Sequence, residues 1–364
     1  MLTPTYVLPR LPPPVELETP AVLRAAALAH RHLAELKGRA RAIPNQGILI
    51  DTLTLQEAKA SSEVENIVTT QDELFRAGLD LMDASSPAAK EVASYVEALK
   101  RGFDQLHAAQ GVLSNNTLIE MFQVLKRTGE RYRATPGTAL RNERTGTIVY
   151  VPPQTRTEIE QHMATLEVFI NDDAASALDP LVKMAVIHHQ FESIHPFSDG
   201  NGRIGRILNV LYLTRVGLLE IPVLYLSRYV TANKADYYRL LQSVRDDGNW
   251  EPWLLYMLDA VAVTAQRTLR LIEGMGQLMA AYKQGLRAHP TIKYSQDLLN
   301  NLFRHPYTRI EFLQKDLDVT RQTAARRLDQ LAAAGFVEKH QAGRSNYYIN
   351  KPLVDLLMLM ADGD

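Results

Sequence analysis

One short segment, His195 to Arg206, holds the densest set of residues in the chain that could do chemistry together. It reads His-Pro-Phe-Ser-Asp-Gly-Asn-Gly-Arg-Ile-Gly-Arg. Glycines at 200 and 202 let the backbone approach an anion closely, and a helix that begins at about Arg203 would point its free amides at the same place. Arg203 and Arg206 lie about one helical turn apart, so both guanidinium groups can reach one polyphosphate. The segment predicts a phosphate-binding loop.

A carboxylate and an imidazole complete this loop. Asp199 can bind Mg²⁺, which prefers one or two carboxylates plus phosphate oxygens to a cage made only of protein. His195, four residues earlier, can take the proton of an incoming hydroxyl because the pKa of an imidazole lies near neutrality. These residues predict phosphoryl-group chemistry on a nucleoside triphosphate.

Three other interpretations of the segment are less favoured. The glycines at 200–205 match a dinucleotide-binding fingerprint, but the residues before them show helical spacing and not the strand that this fingerprint needs. A zinc site could use His188, His189, Glu192 and His195, but the pattern His-Glu-x-x-His is absent. A glycine-rich helix junction with solvated arginines leaves the convergence on one phosphate geometry unexplained.

The composition sets broad limits on the protein class. The chain has 364 residues, 40 Lys and Arg against 41 Asp and Glu, and no cysteine. Charges so nearly balanced predict no global attraction for nucleic acid or anionic membrane, and the missing cysteines exclude disulfides and thiolate metal sites. We expect a cytoplasmic protein that neither crosses a membrane nor is exported.

Helical spacing dominates the chain and predicts a mainly α protein. A proline-rich opening to about Glu18 predicts an extended arm. We expect helices that begin near Ala21, Ser86 and Ser114, each with an apolar face. Further helices are expected at four places: from Asp51 to about Ile67, from Asp179 to about Ser193, from about Arg203 to Val216, and from Ser227 to about Val244. The stretch from Trp250 to about Tyr282 predicts either a helical hairpin or one long helix. On the face of the first helix we place Leu23, Ala26, Ala27 and Leu33.

Two segments predict β-structure. Asn142 to Pro153 contains a Thr-Gly pair before a β-rich run that two prolines end, which indicates a short β-hairpin flap. After a linker near His289–Tyr294, three short helices and two paired strands predict a C-terminal winged-helix domain. Its helices are expected near Gln296–Arg304, Arg309–Leu317 and Arg321–Ala333, and its strands near Phe336–His340 and Asn346–Ile349.

The winged helix raises a second function, DNA binding. A candidate recognition helix carries three arginines, with further basic residues near the wing. Nearby aspartates dilute this charge, so protein contact remains an equal alternative. The basic residues are Arg321, Arg326, Arg327, Lys339, His340 and Arg344, and the aspartates are Asp316, Asp318 and Asp329.

The segment at His195 resembles the motif of the Fic family (filamentation induced by cAMP), His-x-Phe-x-Asp/Glu-Gly-Asn-Gly-Arg-x-x-Arg, at every fixed position. The resemblance spans roughly Leu11 to Tyr282. It implies a helical core with a β-hairpin flap, and an enzyme that moves AMP from ATP, with Mg²⁺, onto a hydroxyl of a protein. Kinases of this fold (the Doc type) carry lysine where Gly202 stands, so glycine favours AMP transfer.

The resemblance also implies roles for single residues. His195 would be the base, Asp199 the Mg²⁺ ligand, and Asn201 and Gly202 the anion hole for the α-phosphate, while Phe197 would anchor the loop. Arg203 and Arg206 would hold the β- and γ-phosphates. The flap would align a target segment by strand addition, and self-modification is the default target. The expected nucleotide-binding set is Gly200, Asn201, Gly202, Arg203, Ile204, Gly205, Arg206, Tyr237 and Tyr238, the two tyrosines at the adenine, with core packing as their alternative.

A second motif, Ser61-Ser62-Glu63-Val64-Glu65-Asn66, is similar to the family's inhibitory pattern Ser/Thr-x-x-x-Glu-Gly/Asn. It implies that Glu65 pairs with Arg206 and removes the arginine from the γ-phosphate, so that ATP binds with a misaligned α-phosphate. Ser61 and Asn66 are the other fixed positions. A solvated helix carboxylate is the alternative for Glu65, and in some relatives the same glutamate serves AMP removal.

We divide the chain accordingly into three parts. Residues 1–110 form an N-terminal helical region with the inhibitory helix, residues 111–288 the catalytic core, and residues 289–364 the winged-helix domain. The family also implies a homodimer that stabilises the inhibited form.

Overall fold

The computed structural model describes residues 6–43, 45–77, 86–141, 145–174, 176–342 and 345–362. Parts of two predicted features, residues 142–144 of the flap and residues 343–344 of the wing, lie outside these ranges. The described chain is mainly α-helical, with one two-stranded and one three-stranded sheet. Among its helices, none combines the length and the apolar character that crossing a membrane requires.

The chain begins with the predicted extended arm, which lies along the helical body. The arm is fixed by a hydrogen bond from Gln190 Nε2 to Pro9 O at 3.4 Å. Helix α1 (Pro20–Ala42) follows and packs against a long helix near the end of the core. We expected Leu23 and Ala27 on its buried face, but both are exposed, Leu23 by 47%; the inward side chain at this turn is Val22, and Ala26 and Leu33 are buried as expected.

Helix α2 (Gln46–Val64) carries the inhibitory motif on its last turn. Asn45 caps it through a hydrogen bond from Gly47 N, so the prediction that the helix starts at Asp51 is wrong. Asp51 lies within the helix and instead forms ion pairs with Lys100 and Arg304. The short helix α3 (Gln71–Ala77) follows.

The core continues with α4 (Pro87–Ala108), α5 (Asn115–Lys126), α6 (Arg156–Asn171), α7 (Pro180–Ile194) and α8 (Asn201–Arg215). Ser86, Ser114 and Asp179 cap α4, α5 and α7 as predicted, because each side chain accepts from a backbone amide of the first turn. Helices α7 and α8 pack on each other and are fully buried along most of their length.

Between α5 and α6 lies the predicted hairpin, with strands β1 (Leu140–Arg141) and β2 (Ile148–Tyr150). The strands are antiparallel and short, and Tyr150 is the buried end of β2. The side chains of Ile148 and Val149 are each 41% exposed.

The single helix predicted from Ser227 to about Val244 is wrong. The structure has two helices, α9 (Leu226–Ala232) and α10 (Lys234–Asp247), which meet at Asn233 in a non-helical conformation. The next helix, α11 (Trp250–Ala288), is 39 residues long and is the helix against which α1 packs.

The C-terminal part combines helices with a small antiparallel sheet. Its order is α12 (Gln296–Arg304), β3 (Tyr307–Arg309), α13 (Ile310–Leu317), α14 (Arg321–Ala333), β4 (Glu338–Ala342) and β5 (Ser345–Ile349). The strands form an antiparallel sheet in the order β3-β5-β4. The sequence analysis missed the short β3 and the last helix, α15 (Lys351–Asp362), which packs on α11.

Candidate active site

The glycine-rich loop joins α7 and α8, which pack on each other, and takes its shape from backbone conformation. His195 ends α7 with a φ of 51°, and Gly200 precedes α8 with a φ of 74°. Asn201 holds the loop closed, because its amide group accepts from Phe197 N at 2.8 Å and donates to Phe197 O at 2.9 Å. The first amides of α8 thus face the loop without intrahelical partners, an arrangement that favours an anion.

Phe197 is the buried anchor of the loop. Its side chain has no exposed surface and stacks on Phe122, with 4.2 Å between the ring centroids. Because the ring fills a fixed place in the core, the residues on either side of it are fixed as well.

A cleft of about 690 Å³ opens in front of the loop and is large enough for a nucleotide. Helices α2, α7, α8 and α10 and both flap strands contribute to its walls. Among the expected site residues, those that line it are Glu65, His195, Gly202, Arg206, Tyr237 and Tyr238.

His195 stands in this cleft in its neutral form. Burial, and then the positive charges of Arg133 and Arg245, lower the pKa of His195 to about 3. Its Nδ1 is buried. A neutral imidazole keeps a lone pair with which it can accept a proton at pH 7.

Asp199 lies at the exposed side of the loop and is 64% exposed. Lys126 Nζ lies 2.7 Å from its Oδ2, and Gly200 N donates to its Oδ1 at 2.6 Å. The ammonium, the loop amide and Arg203 hold the pKa of Asp199 below its usual value despite partial burial. The carboxylate is therefore ionised, as a metal ligand must be.

Arg206 is bound by the last turn of α2. Its Nε donates to Ser61 Oγ at 2.8 Å, and its Nη2 donates to Ser61 O and to Glu65 Oε1, each at 2.9 Å. The guanidinium is only 1% exposed, and the neighbouring Glu65 carboxylate raises the pKa of Arg206 despite burial. The pair that the inhibitory motif predicts is present.

The Glu65 carboxylate also stands directly against the first turn of α8. A Cβ atom placed on Gly202 would lie 2.5 Å from Glu65 Oε1, so only glycine leaves room for the carboxylate here. The N-terminus of a helix stabilises a negative charge electrostatically. Glu65 therefore lies against the helix end that the sequence predicts to bind phosphate.

The asparagine of the inhibitory motif has a backbone reason. Asn66 has a φ of 61°, a left-handed conformation in which glycine and asparagine are favoured after a helix end. Its backbone amide donates to Glu63 O, and its side chain accepts from Lys234 Nζ at 2.9 Å. This turn places Glu65 at the end of α2, facing Arg206.

Arg203 takes a different direction from Arg206. It is 1% exposed and donates through Nη1 to Glu91, on α4. Its other terminal nitrogen lies 3.7 Å from Asp199 Oδ2. Arg203 does not line the cleft in this state; its predicted phosphate contact needs the bond to Glu91 to loosen.

Four further residues of the expected nucleotide-binding set have packing contacts. Ile204 is fully buried and its amide bonds to Gly200 O, while Gly205 allows close approach of α7. Tyr237 is 2% exposed and its hydroxyl lies 2.8 Å from His188 Nε2. Tyr238 is 44% exposed. Of these four residues, Tyr238 is the one that is exposed at the cleft.

Three buried groups near His195 add to the site. Arg245 and Glu192 line the cleft, and burial raises the pKa of Glu192 to about 7. Arg133, just before the flap, bonds to the backbone of the loop. Glu192 entered the sequence interpretation only as a ligand of the less favoured zinc site, and the two arginines stand singly with no motif spacing, so only the fold could reveal them.

Two solved structures with a similar fold are Fic proteins. A Fic family protein from Desulfovibrio desulfuricans G20 aligns over 96% of this chain and 98% of its own, with a TM-score of 0.54 and 20% identity. Fic-1 (residues 134–508) from Caenorhabditis elegans aligns over 72% of this chain and 75% of its own, with a TM-score of 0.54 and 19% identity. The fold is that of a Fic protein.

Family profiles and curated relatives also match Fic proteins. Residues 23–104 match the Fic/DOC family N-terminal profile, residues 112–213 match the Fic/DOC family profile, and residues 278–353 match the C-terminal domain of SoFic-like protein adenylyltransferases. Protein adenylyltransferase fic-1 of Caenorhabditis briggsae is 31% identical over 109 residues, 29% of this chain and 20% of that protein. A probable protein adenylyltransferase of Aquifex aeolicus is 44% identical over 55 residues, 15% of this chain and 17% of that protein.

The chain belongs to the Fic/DOC family. It spans about a fifth of the length of the curated relatives that it matches.

Proposed function

We propose that this protein is an adenylyltransferase that moves AMP from ATP to a Ser, Thr or Tyr hydroxyl of a protein and that Glu65 keeps inactive in the described state. The observation that carries the proposal is the contact of Glu65 with both Arg206 and the first turn of α8. An acidic side chain placed on an anion site implies that an anionic substrate competes for it. The relatives' name, protein adenylyltransferase, supports ATP as that substrate.

The transfer step uses the cleft as follows. His195 accepts the proton of the target hydroxyl, and the oxygen of that hydroxyl forms a bond with the α-phosphorus of ATP. The bond from this phosphorus to the oxygen that bridges the α- and β-phosphates breaks, and pyrophosphate leaves with the electron pair. Amides at the start of α8 stabilise the charge on the α-phosphate. The negative phosphates near His195 raise its pKa on binding, which makes it a better base.

The residues present fit Mg²⁺ on the phosphates. The described residues contain no group of three or more His, Asp or Glu side chains arranged for a metal, whereas Mg²⁺ in nucleotide sites uses one or two carboxylates plus phosphate oxygens. Asp199 is ionised and lies beside the loop. Bound there, Mg²⁺ would neutralise charge on the phosphates and the leaving pyrophosphate.

In the proposed inhibited state, Glu65 forms an ion pair with Arg206. The triphosphate then lacks the guanidinium that would hold its γ-phosphate, and its α-phosphate is not aligned for in-line attack. Release requires that the last turn of α2 move away from α8.

The target would bind along the flap. Ile148 and Val149 offer exposed apolar side chains beside the cleft, and strand addition to β2 would read the backbone of the target more than its sequence. Self-modification is the default target that we propose, and the homodimer and the cytoplasmic location remain predictions.

A second candidate activity is removal of AMP from a modified protein. It is favoured by one observation: Glu65 lines the same cleft as His195, so its carboxylate could orient a water molecule toward a bound AMP ester. The two activities predict opposite effects of removing Glu65.

DNA binding by the winged helix has weaker support. Arg321 forms an ion pair with Glu311, and Lys339 forms one with Asp329, so two of the basic groups that we considered are already neutralised. Arg326 is exposed on α14, and Arg344 lies outside the described residues. A steep loss of binding to a DNA duplex as salt rises is the expected signature of phosphate contacts.

The test of the proposed function compares two labels. Wild type, Glu65→Gly and His195→Ala are incubated with Mg²⁺ and ATP labelled on either the α- or the γ-phosphate, and label on protein is measured. AMP transfer predicts that α-label appears, increases in Glu65→Gly and disappears in His195→Ala. Transfer of γ-label would show a kinase, and absence of both labels from every variant would reject the proposal.

A further inference from the structure

The C-terminal end of α7, just before the proposed base, is held by side chains from the flap side of the cleft. The last carbonyl groups of a helix have no donors within the helix. Here the Tyr150 hydroxyl donates to Ser193 O at 2.5 Å. Arg133 donates through Nη2 to Ile194 O at 3.5 Å and through Nε to His195 O at 2.8 Å. Three consecutive carbonyls are satisfied in this way.

Arg133 also reaches the flap itself. The same Nη2 donates to Pro153 O, three residues after the end of β2. In addition, the backbone amide of Arg133 donates to Pro196 O at 2.9 Å. Arg133 therefore connects the end of the flap segment to the carbonyl groups of Ile194, His195 and Pro196.

Arg133 is buried and uses its charge on backbone carbonyls. It is 7% exposed, and burial lowers the pKa of its guanidinium. Burying a cation is costly where its hydrogen bonds are not satisfied, and Nη1 of Arg133 is buried without a hydrogen bond among the described residues. A positive group at the C-terminal end of a helix is favourable because the helix dipole is negative there. The position at the end of α7 therefore offsets part of the cost of burying this arginine.

The backbone that Arg133 contacts is in an unfavourable conformation. His195 has a φ of 51°, a left-handed conformation that is strained for residues other than glycine. Such a conformation persists only where surrounding contacts determine it. The backbone conformation of His195 sets the direction of its Cα–Cβ bond and therefore of its imidazole.

We propose that Arg133 is a positioning residue for His195: it fixes the left-handed backbone that turns the imidazole into the cleft and joins it to the flap strand on which the target is aligned. A target segment on the flap and the base then keep a constant separation. The inference rests on the proposed function for its effect on transfer, but the effect on the backbone of His195 is independent of it.

Arg245 has a different role in the same place. Its guanidinium lies 4.0 Å from the centre of the Tyr150 ring, and its Nε donates to Ser193 Oγ at 3.0 Å. These contacts are with side chains, whereas Arg133 acts on the backbone on both sides of the proposed base. Arg133 is therefore the residue to change.

The experiment uses the full chain with Glu65→Gly as the parent, so that transfer is measurable. Arg133→Met removes the donors, Arg133→Lys keeps the charge with fewer donors, and Arg131→Met is the matched control because Arg131 is exposed and bonds only to Asn116 among the described contacts. We measure kcat for AMP transfer, the Kd for ATP, and the backbone ¹³Cα resonance of His195 in histidine-labelled protein.

We expect kcat to fall by about 10- to 100-fold in Arg133→Met, with the Kd for ATP changed less than about two-fold. Arg133→Lys should recover part of the loss, and Arg131→Met should match the parent. The ¹³Cα resonance of His195 should move in Arg133→Met, while that of His188, in the middle of α7, should stay.

Two results would overturn the inference. One is an unchanged His195 resonance in both Arg133 variants. The other is an equal loss in kcat and ATP affinity that follows the loss of thermal stability, which would make Arg133 a residue of general packing. If the parent transfers no AMP, the proposed function fails, and the resonance still decides the role of Arg133. If Arg133→Met does not fold, Arg133→Lys decides it in the same way.

Discussion

Replacing Glu65 by glycine should raise the rate of AMP transfer by about five- to thirty-fold. Arg206 makes three hydrogen bonds to the last turn of α2, and only the one to Glu65 joins it to a charged group. The Glu65 side chain is 33% exposed, so solvent screens the pair and its contribution is about 1–2 kcal/mol. If the Glu65–Arg206 pair limits the fraction of molecules in the active state, losing about 1–2 kcal/mol raises that fraction, and with it the rate, by about five- to thirty-fold.

The assay is the initial rate of AMP incorporation from α-labelled ATP at saturating Mg²⁺. Glu65→Gln should give an intermediate rate, because its amide oxygen can still accept from Arg206 without the charge. The matched control is Glu63→Gln, which makes the same charge change on the same helix turn at a residue that pairs with Lys59. A rate in Glu65→Gly that is equal to or below wild type, or an equal rise in the control, would refute the reasoning.

Three further predictions follow from the same contacts. Ser61→Ala removes the acceptor of Arg206 Nε, so we expect AMP transfer to rise about two- to five-fold, measured in the same assay; no rise would show that Glu65 and the Ser61 carbonyl hold the arginine without the hydroxyl. Burial raises the pKa of Glu57, which accepts from Ser227 and Tyr95, to about 7. Its folded-state pKa exceeds its unfolded value, so the stability that it contributes is full below about 4.5 and declines as pH rises through 7. Glu57→Gln should flatten that part of the Tm profile, and an unaltered profile would contradict this. Gly200→Ala places a side chain at a φ of 74° and 3.2 Å from Leu125, and should lower the free energy of unfolding by about 1–2 kcal/mol in urea titrations, whereas an unchanged value would contradict the strain argument.

Local signals in the sequence predicted much of the fold. Ser86 and Ser114 marked the starts of α4 and α5 because a capping side chain acts within one turn of its own residue. Asp51 was misread for the same reason: a carboxylate before an apolar run has the form of a cap, and only the folded chain shows the cations Lys100 and Arg304 that pair with it. No proline or glycine lies at the break at Asn233, so the sequence contains no signal that predicts it.

The candidate site divides in a similar way. The loop from His195 to Arg206 was predictable because its residues act together through neighbouring backbone. The contact between Glu65 and Arg206 joins residues 141 positions apart, and spacing alone could not predict it; the inhibitory motif did. Arg133 carries no such motif, since its function depends on where the C-terminal end of α7 lies in space.

The most direct test of the central claim is the intact mass of the protein after incubation with ATP and Mg²⁺. Glu65→Gly and Glu65→Gly/His195→Ala are compared, with and without nucleotide. The proposed function predicts that the single variant gains the mass of one or more AMP groups and that the double variant gains none. Equal AMP addition in both would contradict the role of His195, and a phosphate in place of AMP would contradict the proposed reaction.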